Sequence, residues 1–195
     1  MDAAQAAASM DAAQAAARHV EAVVRRSGTS FYWAMRLLPE ARRQAMYAIY
    51  AFCREVDDIA DEPGEVAAKL AGLEGWRGEI AALYAGRPRL PTAVALHAAV
   101  RRFDLPRAEL LAVIDGMAMD LSQTRYLDFK GLQLYCYRVA SCVGLMCIHI
   151  FGEPAAHEWA EYNLPADFQS PALALPESER YPESAAVSSP ISDDY

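Results

Sequence analysis

Hydrophobic residues recur every three to four positions through most of the first 160 residues, the spacing of α-helices that bury one face. Glycine and proline interrupt this pattern at intervals and separate one helix from the next. Helices are predicted over residues 15–26, 40–62, 65–85, 92–103, 106–121 and 135–148, followed by a short amphipathic piece through residue 162. The sequence therefore predicts an all-α fold.

The helix over residues 40–62 carries a polar stripe although most of its circumference is apolar. At about 100° per residue, one face holds two phenols, a guanidinium and carboxylates. These are Tyr47, Tyr50, Arg54, Asp57 and Asp61, with Asp58 at the margin. Carboxylates one turn apart repel each other, so a divalent cation is expected beside them. The alternative is a solvated acidic helix end.

A cation at this stripe would suit a phosphate-bearing ligand. Mg²⁺ binds oxygen ligands and usually uses one or two carboxylates together with substrate phosphate oxygens. Arg54, one turn before Asp57, could add a forked donor to the same anion. The stripe therefore predicts a magnesium and diphosphate site.

Two further segments have both a functional and a structural interpretation. Residues 27–30 (SGTS) precede an aromatic cluster and could form a flap that donates hydrogen bonds to phosphate, or an ordinary connection with Ser30 as a helix N-cap. The apolar helix over residues 135–148 has small residues at Ala140, Ser141 and Gly144. Another helix, or a long lipid chain, could approach closely there.

Other polar residues within the helices are expected to be structural. His97 is a lone histidine on a mostly apolar face and suits a core or surface role. Asp115 and Asp120 are five positions apart, so they do not share a helix face and are not predicted to be a metal pair.

Charge and cysteine content narrow the functional class. The 195 residues carry a formal charge of −8, which disfavours nucleic acid as a partner. The four cysteines, Cys53, Cys136, Cys142 and Cys147, lie in apolar helical patterns and are predicted to be buried thiols of a cytoplasmic protein. No apolar run is expected to reach the roughly 18 residues that span a bilayer, and no signal peptide is evident.

Composition divides the chain into three parts. Residues 1–26 form an alanine-rich extension with a duplicated MDAAQAAA segment and a lead-in helix, and residues 27–162 form the helical domain. Residues 163–195 are rich in proline, serine and acidic residues and are expected to be disordered.

Three runs, residues 30–39 (SFYWAMRLLP), 42–61 (RRQAMYAIYAFCREVDDIAD) and 135–144 (YCYRVASCVG), resemble the squalene and phytoene synthase family. The first run resembles the branch that makes presqualene diphosphate in bacterial hopanoid pathways. The resemblance implies part of an all-α isoprenoid synthase helical bundle. It also implies a prenyltransferase that joins two farnesyl diphosphates head to head and releases diphosphate.

The resemblance also implies roles for individual residues. Asp57 and Asp61, with Asp58 as an additional candidate, match the carboxylates that hold Mg²⁺ through the substrate diphosphate. Arg54, Ser30 and Phe31 match the diphosphate-binding residues, and Tyr50 and Tyr135 match the catalytic tyrosines. The wall along the prenyl chain is matched by Val139, Ala140, Val143 and Gly144.

The sequence departs from the family after residue 162. The family's second aspartate-rich motif has no counterpart, because Asp57 and Asp61 are the only D-x-x-x-D pair in the chain. We therefore expect a truncated relative that has little activity alone. Phytoene or squalene synthase activity, and a non-catalytic partner of a full-length synthase or of the membrane surface, are the alternatives.

Overall fold

The computed structural model describes residues 3–123 and 125–152, with side chains from residue 10 onward. Within these ranges the secondary structure is helical and contains no strand, as predicted. The helices are α1 (Ala3–Arg26), α2 (Phe31–Arg36), α3 (Glu40–Asp61), α4 (Val66–Tyr84), α5 (Pro91–Phe103), α6 (Arg107–Ser122), α7 (Phe129–Cys136) and α8 (Cys142–Phe151). A π-helical turn, Tyr137–Ser141, joins α7 to α8.

Most predicted helix boundaries lie within one or two residues of those in the structure. There are three exceptions: α2 was not predicted, and α7 begins at Phe129 rather than at residue 135. Helix α1 begins at Ala3 rather than near residue 15, so the alanine-rich duplication continues the lead-in helix. Alanine has the highest intrinsic helix propensity, which accounts for this extension. Among the side chains of α1 described from residue 10 onward, those that reach the core are Ala16, Val20, Val23 and Val24.

Helix α3 is the centre of the fold and packs against α1, α2, α4, α5, α6 and α8. Its apolar face is fully buried, and Phe52 meets Trp76 of α4 edge to face with ring centroids 5.2 Å apart. Burial of these side chains fixes the rotation of α3 about its axis. The polar stripe of the same helix is thereby turned away from the main core.

A buried carboxylate holds the connection between α4 and α5. Glu79 of α4 accepts hydrogen bonds from the backbone N–H groups of Arg89 and Leu90 and from the Arg89 guanidinium. Burial alone would raise the pKa of Glu79, but these hydrogen bonds outweigh it and lower the pKa. The connection before α5 is therefore tied to the core and is not a free loop.

The predicted burial of all four cysteines is wrong for one of them. Cys142 is buried, Cys53 and Cys147 are half-buried, and Cys136 is exposed on α7. Burial raises the pKa of Cys142 to about 12, and its thiol donates to the Arg138 carbonyl at 2.9 Å. Cys136 lies on the outward side of α7, and periodicity alone does not show whether an apolar side is buried or exposed.

The expectation that no apolar run could span a bilayer is also wrong. The continuous helix Phe129–Phe151 has 23 residues and a mean hydropathy of 1.5, and only 17% of its most apolar window is buried. One such helix is weak evidence for a membrane span. The predicted piece through residue 162 and the tail of residues 163–195 lie outside the described residues, so the domain boundaries remain predictions.

Candidate active site

Arg54 forms ion pairs with the carboxylates that follow it on α3. Its Nη2 lies 2.6 Å from Asp58 Oδ1, and its Nη1 lies 3.6 Å from Asp57 Oδ2. These are i,i+4 and i,i+3 pairs, so helix geometry alone brings them together. All three side chains are 39–46% exposed, which leaves the guanidinium open to an incoming anion.

Asp57 lies in a surplus of negative charge. Its pKa is raised, first by partial burial and then by Asp61, while Arg54 lowers it. Asp58 and Asp120 raise the pKa further. Asp120 belongs to α6, so the acidic group includes a carboxylate from a second helix. A cation at this position would relieve the repulsion.

Tyr135 connects α7 to the same group of charges. Its hydroxyl donates a hydrogen bond to Asp120, and its ring lies 5.1 Å from that of Tyr126 at an interplanar angle of 31°. Burial, followed by the hydrogen bond and charge of Asp120, raises the pKa of Tyr135 to about 12. Tyr135 is therefore a neutral phenol at physiological pH, held in place by a carboxylate.

Tyr50 connects α3 to the loop that precedes α2. Its hydroxyl donates to Ser27 Oγ at 2.9 Å, and Ser27 Oγ donates to the Val24 carbonyl at 2.7 Å. Ser30 and Phe31, the predicted flap residues, are exposed at the start of α2. Ser30 makes no side-chain cap. Thr29 Oγ1 instead accepts the Phe31 N–H at 3.3 Å.

The predicted prenyl-chain wall has two differently exposed edges. Val139 and Val143 are half-buried and pack against the main core. Ala140 and Gly144 are exposed, and a Cβ added at Gly144 would meet no atom within 4 Å. The small residues thus leave open space along this face in the described structure.

The structure separates Tyr47 from the rest of the polar stripe. Its side chain is only 1% exposed and its ring stacks on Tyr32 with centroids 6.2 Å apart. Helices α1 and α2 cover this end of α3, so Tyr47 is not a member of the cation site. Periodicity assigns Tyr47 to the same helix face as Arg54 and Asp57, but it does not show which neighbours cover that face.

The carboxylates suit a metal that is shared with a ligand. Among the described residues, no group of three or more His, Cys, Asp or Glu converges closely enough to hold a metal ion alone. Asp57 and Asp61 supply the hard oxygen atoms that Mg²⁺ prefers, and Mg²⁺ commonly completes its shell with water and substrate phosphate. The residues present therefore fit Mg²⁺ bound together with a diphosphate.

Sequence reasoning missed Asp120, and it placed Ser27 in the flap segment without its hydrogen bond to Tyr50. It treated Asp120 only as a poor partner for Asp115. The two side chains do interact with different residues, since Asp115 pairs with Arg77 and Arg138. The relation of Asp120 to Asp57 and Tyr135 depends on how α3, α6 and α7 pack. No spacing along the chain encodes that packing.

Comparison with known proteins gives a consistent result. The sequence profile of the squalene/phytoene synthase family matches residues 24–165. The chain is 49% identical over 139 residues to a presqualene diphosphate synthase of Zymomonas mobilis, covering 70% of this chain and 47% of that one. It is 48% identical over 130 residues to a presqualene diphosphate synthase of Rhodopseudomonas palustris, covering 66% and 46%.

Solved structures confirm the fold. The chain superposes on a dehydrosqualene synthase with a TM-score of 0.65 and 29% identity, covering 73% of this chain and 49% of that one. A squalene synthase of Alicyclobacillus acidocaldarius gives a TM-score of 0.61 at 28% identity, with 75% and 57% covered. The chain spans about half the length of the relatives it matches. Over the matched residues, this protein belongs to the squalene/phytoene synthase family.

Proposed function

We propose that this chain supplies one side of the active site of a prenyltransferase that joins two farnesyl diphosphates head to head into presqualene diphosphate. One observation carries the proposal. Asp57 on α3, Asp120 on α6 and Tyr135 on α7 form one connected group of charges and hydrogen bonds beside Arg54. The relatives named presqualene diphosphate synthase support this choice of product.

Arg54, Asp57 and Asp61 would bind the diphosphate end of the substrate. Mg²⁺ bound by Asp57 and Asp61 would neutralise the leaving diphosphate. Arg54 is held only by partly exposed carboxylates of its own helix, so it can exchange Asp58 for a phosphate oxygen. Asp58 then acts as a resting partner for Arg54 and remains an additional metal candidate.

Tyr135 and Tyr50 would lie beside the reacting carbons. The Tyr135 phenol is fixed by Asp120, and an ordered aromatic ring can stabilise an allylic cation through its face. Tyr50 is held by Ser27, so the start of the loop bearing Ser30 and Phe31 is tied to the reacting end of the site. The open space along Ala140 and Gly144 would receive the prenyl chain.

Two alternatives are supported by specific observations. A phytoene synthase product is the first, because a phytoene synthase of Synechococcus elongatus is 37% identical over 155 residues. Squalene is another product of the same reaction class and belongs to this first alternative. The second alternative is a non-catalytic partner of a full-length synthase, supported by the exposed apolar residues of α7 and α8.

The same apolar face supports a peripheral association with membranes. We propose a cytoplasmic protein that contacts the bilayer through the exposed side of the helix Phe129–Phe151. The formal charge of −8 disfavours nucleic acid as a partner.

The test is equilibrium binding of farnesyl diphosphate to the purified 195-residue chain, with Mg²⁺ and with a chelator, followed by chromatography of any products. We expect a Mg²⁺-dependent component that weakens at least about tenfold in Asp57→Asn, Asp61→Asn, since both metal ligands are then lost. Glu62→Gln, which alters the exposed carboxylate next along α3, is the matched control and should retain that component.

The absence of any Mg²⁺-dependent component, or equal loss of that component in Glu62→Gln and the double variant, would contradict the proposal. If products appear, presqualene diphosphate supports it, whereas phytoene or squalene would establish the alternative products. Turnover by this chain alone would prove that one aspartate motif suffices.

A further inference from the structure

A polar cavity lies between α1, α2 and α3, apart from the candidate active site. Its volume is about 400 Å³, near the small end of the range for ligand pockets. Each of its lining residues carries a polar or charged group. The cavity is therefore unsuited to a prenyl chain and suits a compact hydrophilic ligand.

The charge of this cavity is positive. Arg25 of α1, Arg36 of α2 and Arg43 of α3 line it, and Glu21 of α1 is the acidic residue among the lining groups. Three guanidinium groups against one carboxylate leave a formal charge of +2 at this cavity. Arginine clusters of this kind bind phosphate groups, because the guanidinium offers a planar fork of donors.

Two of these arginines are already held in position. The Arg36 guanidinium lies 5.9 Å from the Tyr32 ring centroid and 5.5 Å from that of Trp33, which restrains its plane by cation–π contacts. Arg43 Nη1 donates to the carbonyls of Arg36 and Leu38 at 3.5 and 3.4 Å, which leaves its Nε and Nη2 for a ligand. An anion would therefore meet donors that are largely preorganised.

The cavity also contains buried polar atoms that lack partners. Tyr47 is 1% exposed, and its hydroxyl has no hydrogen-bond partner in the described part of the chain. Gln44 Oε1 is also buried without a hydrogen-bond partner in the described residues, and both Tyr47 and Gln44 line the cavity. Unpaired buried polar groups are costly, so their presence points to a ligand that completes them. Burial raises the pKa of Tyr47, so its O–H remains available as a donor.

We propose that this cavity is a second anion site, which binds a diphosphate group without a metal. The donors are the guanidinium groups of Arg36 and Arg43 and the hydroxyl of Tyr47, and the Gln44 amide can rotate to present its NH₂ group. The group could come from free inorganic diphosphate, the by-product of the proposed reaction, or from the diphosphate end of a prenyl substrate. The proposal needs neither Asp57 nor Asp61, so it stands or falls independently of the proposed function.

The experiment is calorimetric titration of the 195-residue chain with inorganic diphosphate in the presence of a chelator. We expect one site whose affinity falls at least about tenfold in Arg36→Gln, Arg43→Gln, because two charge-assisted contacts are lost. Tyr47→Phe should weaken binding about fivefold, the effect of one buried hydrogen bond. Arg42→Gln is the matched control, because Arg42 is exposed beside Arg43 but does not line the cavity.

Farnesyl diphosphate, titrated under the same metal-free conditions, distinguishes the two sources. Similar affinity for both ligands, or tighter binding of inorganic diphosphate, supports a site that recognises the diphosphate group. Binding of farnesyl diphosphate alone would overturn it, as would binding of neither ligand.

Two further outcomes would also overturn the proposal. One is equal loss in Arg42→Gln and in the double variant, and the other is loss of metal-free binding in Asp57→Asn, Asp61→Asn. Circular dichroism checks that each variant is folded. If Arg43→Gln does not fold, Arg25→Gln combined with Arg36→Gln replaces the double variant, because Arg25 is exposed on α1.

Discussion

At the scale of single residues, the candidate site is defined by charges that the fold brings close without balancing them. The i,i+3 and i,i+4 spacings on α3 fix the relation of Arg54 to Asp57 and Asp58, so this part could be predicted from sequence. The role of Asp120 could not be predicted from sequence, because its effect on the pKa of Asp57 arises from the packing of α6 beside α3. The sequence therefore predicted the site's own helix but not the residue that links it to Tyr135.

Replacement of Asp57 tests the excess of negative charge around this carboxylate. The pKa of Asp57 is raised in the folded state above its ordinary value of 3.8, first by burial and then by Asp61. At pH values between the ordinary pKa and the raised folded-state pKa, the folded state keeps a proton that the unfolded state has lost. The free energy of unfolding therefore falls as the pH rises through that window. At neutral pH the ionised carboxylate therefore opposes folding.

We expect Asp57→Asn to raise the free energy of unfolding at neutral pH by less than about 1 kcal/mol, because the side chain is partly exposed. The gain should shrink as the pH is lowered toward 3.8. Urea unfolding followed by circular dichroism at several pH values measures both effects. Glu74→Gln is the control, since this carboxylate is 76% exposed and pairs with Arg77. A loss of stability in Asp57→Asn would refute the argument.

At the scale of secondary-structure elements, the boundaries of α3 to α6 followed from periodicity and breakers, whereas the starts of α1 and α7 and the interruption between α7 and α8 did not. The segment was predicted as one α-helix, and the structure has a π-helical turn at Tyr137–Ser141. Such turns often occur at functional sites, and this one carries Val139 and Ala140 of the predicted prenyl wall. Its position depends on close packing against Gly116 of α6, which is a tertiary contact.

Gly116 lets α6 approach the π-helical turn. A Cβ at this position would lie 3.0 Å from Val139 Cγ1, 3.1 Å from Arg138 Cβ and 3.3 Å from the Arg138 carbonyl carbon. We expect Gly116→Val to lower the free energy of unfolding by about 1–3 kcal/mol, the usual cost of overpacking a core. Urea unfolding measures this change.

The matched control is Gly75→Val in α4, where an added Cβ would meet no atom within 4 Å. Replacing an exposed helical glycine should leave stability unchanged or raise it slightly. Equal effects of the two substitutions would mean that the close approach of α6 does not matter for stability.

At the scale of the whole molecule, the chain buries its core around α3 but leaves an apolar face on α7 and α8. Exposed residues recur there at four-residue intervals and form what we call the α7–α8 strip. It consists of Leu132, Cys136, Ala140, Gly144 and Ile148. The apolar content of this segment was evident from sequence, but its outward orientation was not, because a buried and an exposed apolar face have the same period. The strip faces outward among the described residues, and the chain spans about half the length of its relatives.

An exposed apolar strip of this length should cause the isolated chain to associate. We expect the purified 195-residue protein to exceed its monomer mass of 21.4 kDa in light scattering coupled to size-exclusion chromatography. Leu132→Glu, Ile148→Glu should shift it toward the monomer, because two charges would be desolvated on association. Leu37→Glu is the control, since Leu37, which directly follows α2, is 87% exposed and lies outside the strip. A monomeric unmodified chain with a cooperative thermal transition would mean that the α7–α8 strip tolerates water, and an equal shift in Leu37→Glu would mean that added charge alone prevents association.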